Sequence, residues 1–189
     1  MNGKEFEELC IYSASKLKSA HKFTMRRYGV QGVYTKSPGT GRMEWRPIQS
    51  YPDFEGVLPP NGRQVIFDCK VSGGASLTLS GGGARSLHHQ YTHMRERCQY
   101  GALCFFLVHF TRRMLKSRVD EPVTYAIPVT GADSDVWAQY ERQELKSISR
   151  NLCQLYGIEV PWITYPRGRK ESPDLMHVIN TMLKPQTEN

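Results

Sequence analysis

The sequence predicts an α/β fold in which a mixed β-sheet is flanked by helices. Three observations predict it. The chain opens on an amphipathic helical stretch, two short apolar segments meet at the turn Pro59-Pro60-Asn61-Gly62, and the later strand candidates alternate with helical stretches. At 189 residues the chain is long enough for one domain with a sizeable core and short of two typical ones.

In chain order, residues 3–20 read as an amphipathic helix, because Phe6, Leu9, Cys10, Ala14 and Leu17 recur at three- and four-residue spacing. Gly32-Val33-Tyr34-Thr35 is a short strand candidate, and the poorly patterned residues 36–50, with Pro38, Gly39, Gly41 and Pro47, read as a loop or protrusion. Residues 53–58 and 64–70 are apolar strands on either side of the proline-rich turn, so 53–70 is expected to be a β-hairpin. Residues 72–86 carry Gly73-Gly74 and Gly81-Gly82-Gly83, a composition that predicts mobility without a ligand. A helix is expected at about 87–100. The most apolar run of the chain, residues 102–108, then suits a strand buried on both faces. Residues 123–127 form another strand ended by Pro128, and a long helix is expected over about 134–156, stopped by Gly157. A last helix starts near Ser172-Pro173, with Ser172 as its cap, Pro173 at its first position and Asp174 in its first turn.

Composition narrows the function classes. With 39% hydrophobic and 11% aromatic residues the chain belongs with folded proteins. Its net charge of +7 favours an anionic partner, nucleic acid ahead of a membrane surface, since no Lys-rich amphipathic helix stands out. The five cysteines are odd in number, scattered and without a C-x-x-C pair, which argues against a disulfide framework or structural zinc. The first residues lack a secretory apolar core, and no segment approaches the ~20 apolar residues of a membrane span, so the cytoplasm is the expected address.

The chemistry concentrates on residues 53–70. Alternation along 64–70 puts Val65, Phe67 and Cys69 on one face and Ile66, Asp68 and Lys70 on the other. Asp53, on the partner strand, brings a second carboxylate to the same space. Two carboxylates beside one lysine are what hard-cation phosphodiester chemistry requires: oxygens hold Mg²⁺, and the lysine orients water or offsets charge. An aspartate and a lysine two apart also occur as plain surface ion pairs. The Pro-Asp fifteen residues upstream of Asp68 is what singles this pair out.

Tyr51-Pro52-Asp53-Phe54-Glu55-Gly56-Val57 followed by Ile66-Phe67-Asp68-Cys69-Lys70 resembles the PD…(D/E)xK signature of restriction-endonuclease-like nucleases. Lys36-Ser37-Pro38, the His89-Gln90 pair within residues 87–94, the apolar residues 101–110 and Gly3, Phe6 and Glu7 add to it, and this order is similar to that of the RecU-type Holliday junction resolvases over about residues 3–128. The resemblance implies one nuclease domain over 1–189, with a stalk-like protrusion at about 36–50 and a C-terminal helical extension at about 134–189. It implies Asp53 and Asp68 as metal ligands, with the Cys69 backbone carbonyl as a third, and Lys70 as catalytic lysine. Glu7 approaches the metal or its waters, and Gln90 lies at the site's edge. The implied cofactor is Mg²⁺, or else Mn²⁺; the implied substrate is a four-way DNA junction, cut by paired symmetric nicks by a homodimer whose two-fold axis matches the junction's. The sequence departs from the pattern in three ways: Asp68 stands where glutamate is usual, the stalk-like segment is short, and Glu55 occupies a position usually uncharged.

Candidate DNA contacts are Lys36, Arg42, Trp45 and Arg46 in the protrusion, Arg85 and His89 ahead of Gln90, Arg112 and Arg113 after the apolar run, and Arg169 and Lys170 near the end. His88, His89 and His93 lack the cysteines or glutamate motif of a zinc site, and a basic or capping role fits that helix better. The rival readings are another nuclease of the superfamily acting on duplex or flapped DNA, and a non-catalytic DNA-binding protein, against which the intact Asp53, Asp68 and Lys70 set argues.

Overall fold

Asn2 and Glu5 start the first helix reciprocally: Glu5 N–H donates to Asn2 Oδ1 at 2.9 Å, and Asn2 N–H donates to the Glu5 carboxylate at 2.8 Å. Helix α1 runs Gly3–Ser19 and buries Phe6, Cys10, Ala14 and Leu17 along one stripe, as the spacing predicts. The computed structural model describes residues 1–28, 32–47, 51–79, 87–115, 117, 119–129, 135–165 and 170–184, with the side chains of 32, 45–47 and 135 left aside.

Strand β1 (Thr24–Arg27) is followed by β2 (Gly32–Lys36) and β3 (Met43–Pro47), which pair antiparallel as a ribbon. Then come β4 (Phe54–Leu58) and β5 (Arg63–Ser72), the antiparallel hairpin read from the sequence, with Phe54 opposite Phe67. Gly56 is obligatory in β4. A Cβ there would lie 2.5 Å from both the Phe23 ring and the Thr24 carbonyl oxygen, so only glycine lets β1 close on β4. After β6 (Ser76–Thr78), helix α2 (His88–Gln99) crosses over to β7 (Leu103–Phe110), which runs parallel to β5. The short pair β8 (Arg113–Met114) and β9 (Val119–Asp120) leads into β10 (Val123–Pro128), antiparallel to β7.

The remaining elements are α3 (Asp135–Glu141), β11 (Ser147–Ser149), α4 (Arg150–Tyr156), β12 (Ile158–Glu159), β13 (Trp162–Thr164), β14 (Glu171–Pro173) and α5 (Leu175–Leu183). The six-stranded sheet has the order β1-β4-β5-β7-β10-β12. One parallel pair among antiparallel ones makes it mixed, and helices cover both faces. α1 and α5 pack on the face bearing Phe54, Val65, Phe67, Phe105 and Leu107; α2, α3 and α4 pack on the face bearing Ile66, Cys104, Phe106 and Val108. Every residue of β7 is buried, as its unbroken apolar run requires, and each large side chain there contributes ~1.5–3 kcal/mol.

The structure corrects four expectations. Residues 32–47 form a two-stranded ribbon, where 36–50 reads as a loop or protrusion and 48–50 lie outside the described residues; Val33, Tyr34 and Met43 are exposed on it, so its described side chains show no buried apolar periodicity. The helix expected over 134–156 is broken: Gln143 adopts a positive φ, and β11 inserts Ile148 opposite Leu77 of β6 before α4 begins. Among its described residues the supposed helical extension at 134–189 contains four short strands, of which β12 joins the main sheet, and α5 buries Leu175, Val178 and Ile179 in the core. The cap of α5 is Asp174, whose Oδ1 accepts from His177 N–H at 3.1 Å, while Ser172 and Pro173 lie in β14. Of the glycine-rich stretch, residues 80–86 lie outside the described residues.

Candidate active site

Strand alternation separates the hairpin's residues as predicted: Val65, Phe67 and Cys69 face α1, and Ile66 faces α2. Asp68 therefore projects on the α2 side. One step past the Phe54–Phe67 pair, the register sets Asp53 across from it. Stacked rings of Phe54, Phe67 and Phe105, with centroids 5.0 Å apart at each step, lock three adjacent strands one residue from these carboxylates.

Asp68 is fully buried, and its Oδ1 accepts from Gln90 Nε2 at 2.7 Å. Its Oδ2 forms an ion pair with the Lys70 ammonium but takes no well-directed hydrogen bond. Burial pushes the Asp68 carboxyl up to about 7, helped by the Asp53 charge and opposed by Lys70. Burial alone would lower Lys70, yet the Asp68 and Asp53 carboxylates outweigh it and leave the lysine above its ordinary value. Asp53 is held through both ends: its carbonyl accepts from Tyr28 N–H at 2.8 Å, and its Oδ2 accepts from Cys69 N–H at 2.9 Å. The two main-chain polar groups of one strand residue point to the same strand edge, so the Cys69 carbonyl points to the β4 side as its N–H does. The Cys69 thiol points the other way, 3.5 Å from Cys10.

Glu7 reaches the site from α1, within the electrostatic reach of Asp53 and Lys70. Burial and the Asp53 charge raise its carboxyl, and Arg27 of β1 pairs with it. Glu55 shares the Asp53 side of β4 but is saturated, accepting from Arg26 at 2.9 Å, Tyr28 and Gln64; burial would raise it, and these three donors bring it below the usual range. The unusual charge at position 55 is thus neutralised locally.

Asp53, Asp68 and the Cys69 carbonyl form an all-oxygen donor set suited to a hard divalent cation. A buried carboxylate with an undirected oxygen, raised to about 7, is the state that such a cation would relieve. Among the described residues no three His, Cys, Asp or Glu side chains already form a metal cluster.

The expected DNA contacts scatter around this centre. Lys36 and Arg42 are exposed on the ribbon, and Trp45 and Arg46 lie in β3 with undescribed side chains. His89 is exposed at the start of α2, next to Gln90. Arg112 is exposed and pairs with Glu121 at 3.7 Å, and Arg113 in β8 stands opposite Asp120. Lys170 borders a cavity of about 570 Å³ with Glu5, Glu8, Tyr12 and Lys16, a mixed-charge setting less suited to phosphate. Arg85 and Arg169 lie outside the described residues. Sequence reasoning missed Arg27, Tyr28 and Tyr51; only the position of Tyr51, just before Pro52-Asp53, signalled any of them.

No family model matches the chain, and no curated protein matches it. Among solved structures, it is similar to Hjc of Archaeoglobus fulgidus, a Holliday junction resolvase from an archaeal hyperthermophile, at 19% identity and a TM-score of 0.46, over 83% of this chain and 95% of that one. At that level the reading of the site rests on its own geometry. No helix among the described residues is long and apolar enough to cross a membrane.

Proposed function

We propose that this chain is a metal-dependent DNA endonuclease that resolves four-way junctions by paired nicks, acting as a homodimer. The observation that carries the reading is the buried Asp68, bonded by Gln90 on one oxygen and paired with Lys70 on the other, with Asp53 across the hairpin. Asp53, Asp68 and the Cys69 carbonyl would hold the metal, with Mg²⁺ favoured by the oxygen donors. When bound, the metal supplies charge compensation at the phosphate and acidifies water. Gln90 fixes the Asp68 carboxylate through Oδ1, which leaves Oδ2 to Lys70 and the metal. Lys70, held cationic by two carboxylates, offsets negative charge on the phosphate and orients the attacking water. Glu7, raised by burial and Asp53, is placed to exchange a proton with solvent at the edge of the centre.

The β2–β3 ribbon supports a branched substrate over plain duplex. It projects exposed Lys36, Arg42, Tyr34 and Met43 from the fold just ahead of Asp53. The test is cleavage of a synthetic four-way junction beside matched duplex and flap DNA in Mg²⁺ and in EDTA. Symmetric nicks in the junction, in Mg²⁺ alone, are expected; preferential cutting of duplex or flap would assign a different nuclease activity.

A further inference from the structure

The rings of Tyr28, Tyr51 and His93 form a ladder beside the Asp53–Asp68 pair. Tyr28 and Tyr51 stack with centroids 5.8 Å apart and planes 24° apart, and Tyr51 meets His93 edge-on at 5.1 Å and 88°. Both ends connect to the site through the main chain. Tyr28 N–H donates to the Asp53 carbonyl, and His93 stands one helical turn after Gln90, which donates to Asp68. Tyr51 precedes Asp53 by two residues, with the buried Pro52 between them. The ladder is braced from outside as well: the Arg26 guanidinium lies 5.3 Å from the Tyr28 ring centroid, and the Tyr28 hydroxyl donates to Glu55.

Fixed in this way, Tyr51 still stays 43% exposed. A ring held in one orientation yet open to solvent contributes little to the core. Its π surface is what a nucleobase stacks on, whatever the base. Burial, then Arg97, hold His93 below its ordinary value, so the Tyr51–His93 pair presents neutral aromatic surface at neutral pH.

We propose that Tyr51, braced by Tyr28 and His93, is a positioning residue that stacks on the nucleobase flanking the scissile phosphate. The proposal rests on the nuclease reading above and names how that site seats its substrate. A base at a branch point is already poorly stacked and costs little to bring onto the ring.

The test places 2-aminopurine at the nucleoside beside the mapped nick and follows its fluorescence as the protein binds in EDTA. Quenching is expected with the unmodified protein and with Tyr51→Phe. With Tyr51→Leu the quench should be lost, with affinity about ten-fold weaker. A second measurement needs no variant: bromodeoxyuridine at the same position, irradiated in the complex, should crosslink to Tyr51 by peptide mapping. Cleavage with unchanged quenching in Tyr51→Leu, or a crosslink on another element, overturns the stacking role and leaves the nuclease reading standing. If the unmodified protein neither binds nor cuts DNA, both readings fall together.

Discussion

With one hydrogen bond from Gln90 and one ion pair to Lys70, the buried Asp68 titrates at about 7, far above the ordinary aspartate value of ~3.9. Between about pH 4 and pH 7 the folded protein keeps a proton that the unfolded chain has released, so stability present at acid pH is lost as the pH rises through 7. Asp68→Asn cannot titrate and still offers Oδ1 to Gln90. In EDTA its stability should therefore exceed wild type by a margin that widens from about pH 4 to about pH 7 and levels off above it, with an upper bound of order 4 kcal/mol. Mg²⁺ should raise wild type and leave the variant unmoved. A margin that stays flat with pH would show that Asp68 is not held as a strained acid. Lys70 is cationic at neutral pH, so Lys70→Ala should slow cleavage by ~10²–10⁴ with DNA affinity within a few-fold, read by single-turnover kinetics beside a binding titration. Asp53, Asp68 and Lys70 were legible because strand alternation and a short turn encode their convergence locally. Arg27, Tyr28 and His93 were not, since they arrive from β1 and α2 through contacts that no spacing in the sequence records.

The ribbon of β2 and β3 is proposed to serve substrate choice and not the core. Tyr34 and Met43 are exposed on it, so replacing residues 33–46 with a short Gly-Ser linker should leave the melting temperature within a few degrees. The same deletion should lower the ratio of junction to duplex cleavage, and an unchanged ratio in a folded protein would remove the ribbon from substrate choice. Gly56 tests the opposite kind of element. Gly56→Ala places a methyl against Phe23 and the Thr24 carbonyl, which should cost about 1–3 kcal/mol and shift β1, with Arg27 and Tyr28, away from Glu7 and Asp53. Melting temperature and cleavage should fall together; loss of neither would mean that β1 has room to give. The elements follow the same division of legibility. β4, β5 and β7 carry their burial in their own patterns. The break after α3 does not, because Ile148 is pulled into β11 by Leu77 of β6, some seventy positions upstream in the chain.

At the scale of the molecule, the net charge of +7 makes a salt-dependent grip on DNA the expectation under the proposed function. The slope of log affinity against log salt should be about −0.9 for each phosphate neutralised, and several phosphates per chain are expected. A nearly flat response would place affinity in stacking and hydrogen bonds. Charge and sheet both serve one claim: that Asp68, fully buried between Gln90 and Lys70, works for a metal-assisted cut and not for the grip on DNA. Cleavage of a four-way junction in Mg²⁺ by wild type and Asp68→Asn, with binding of the same DNA followed in EDTA, measures this most directly. Wild type should cut, the variant should lose at least ~10³ in rate, and the two affinities should stay within a few-fold of each other. Cutting by Asp68→Asn at the wild-type rate, or Mg²⁺-independent cutting by either protein, would contradict that claim.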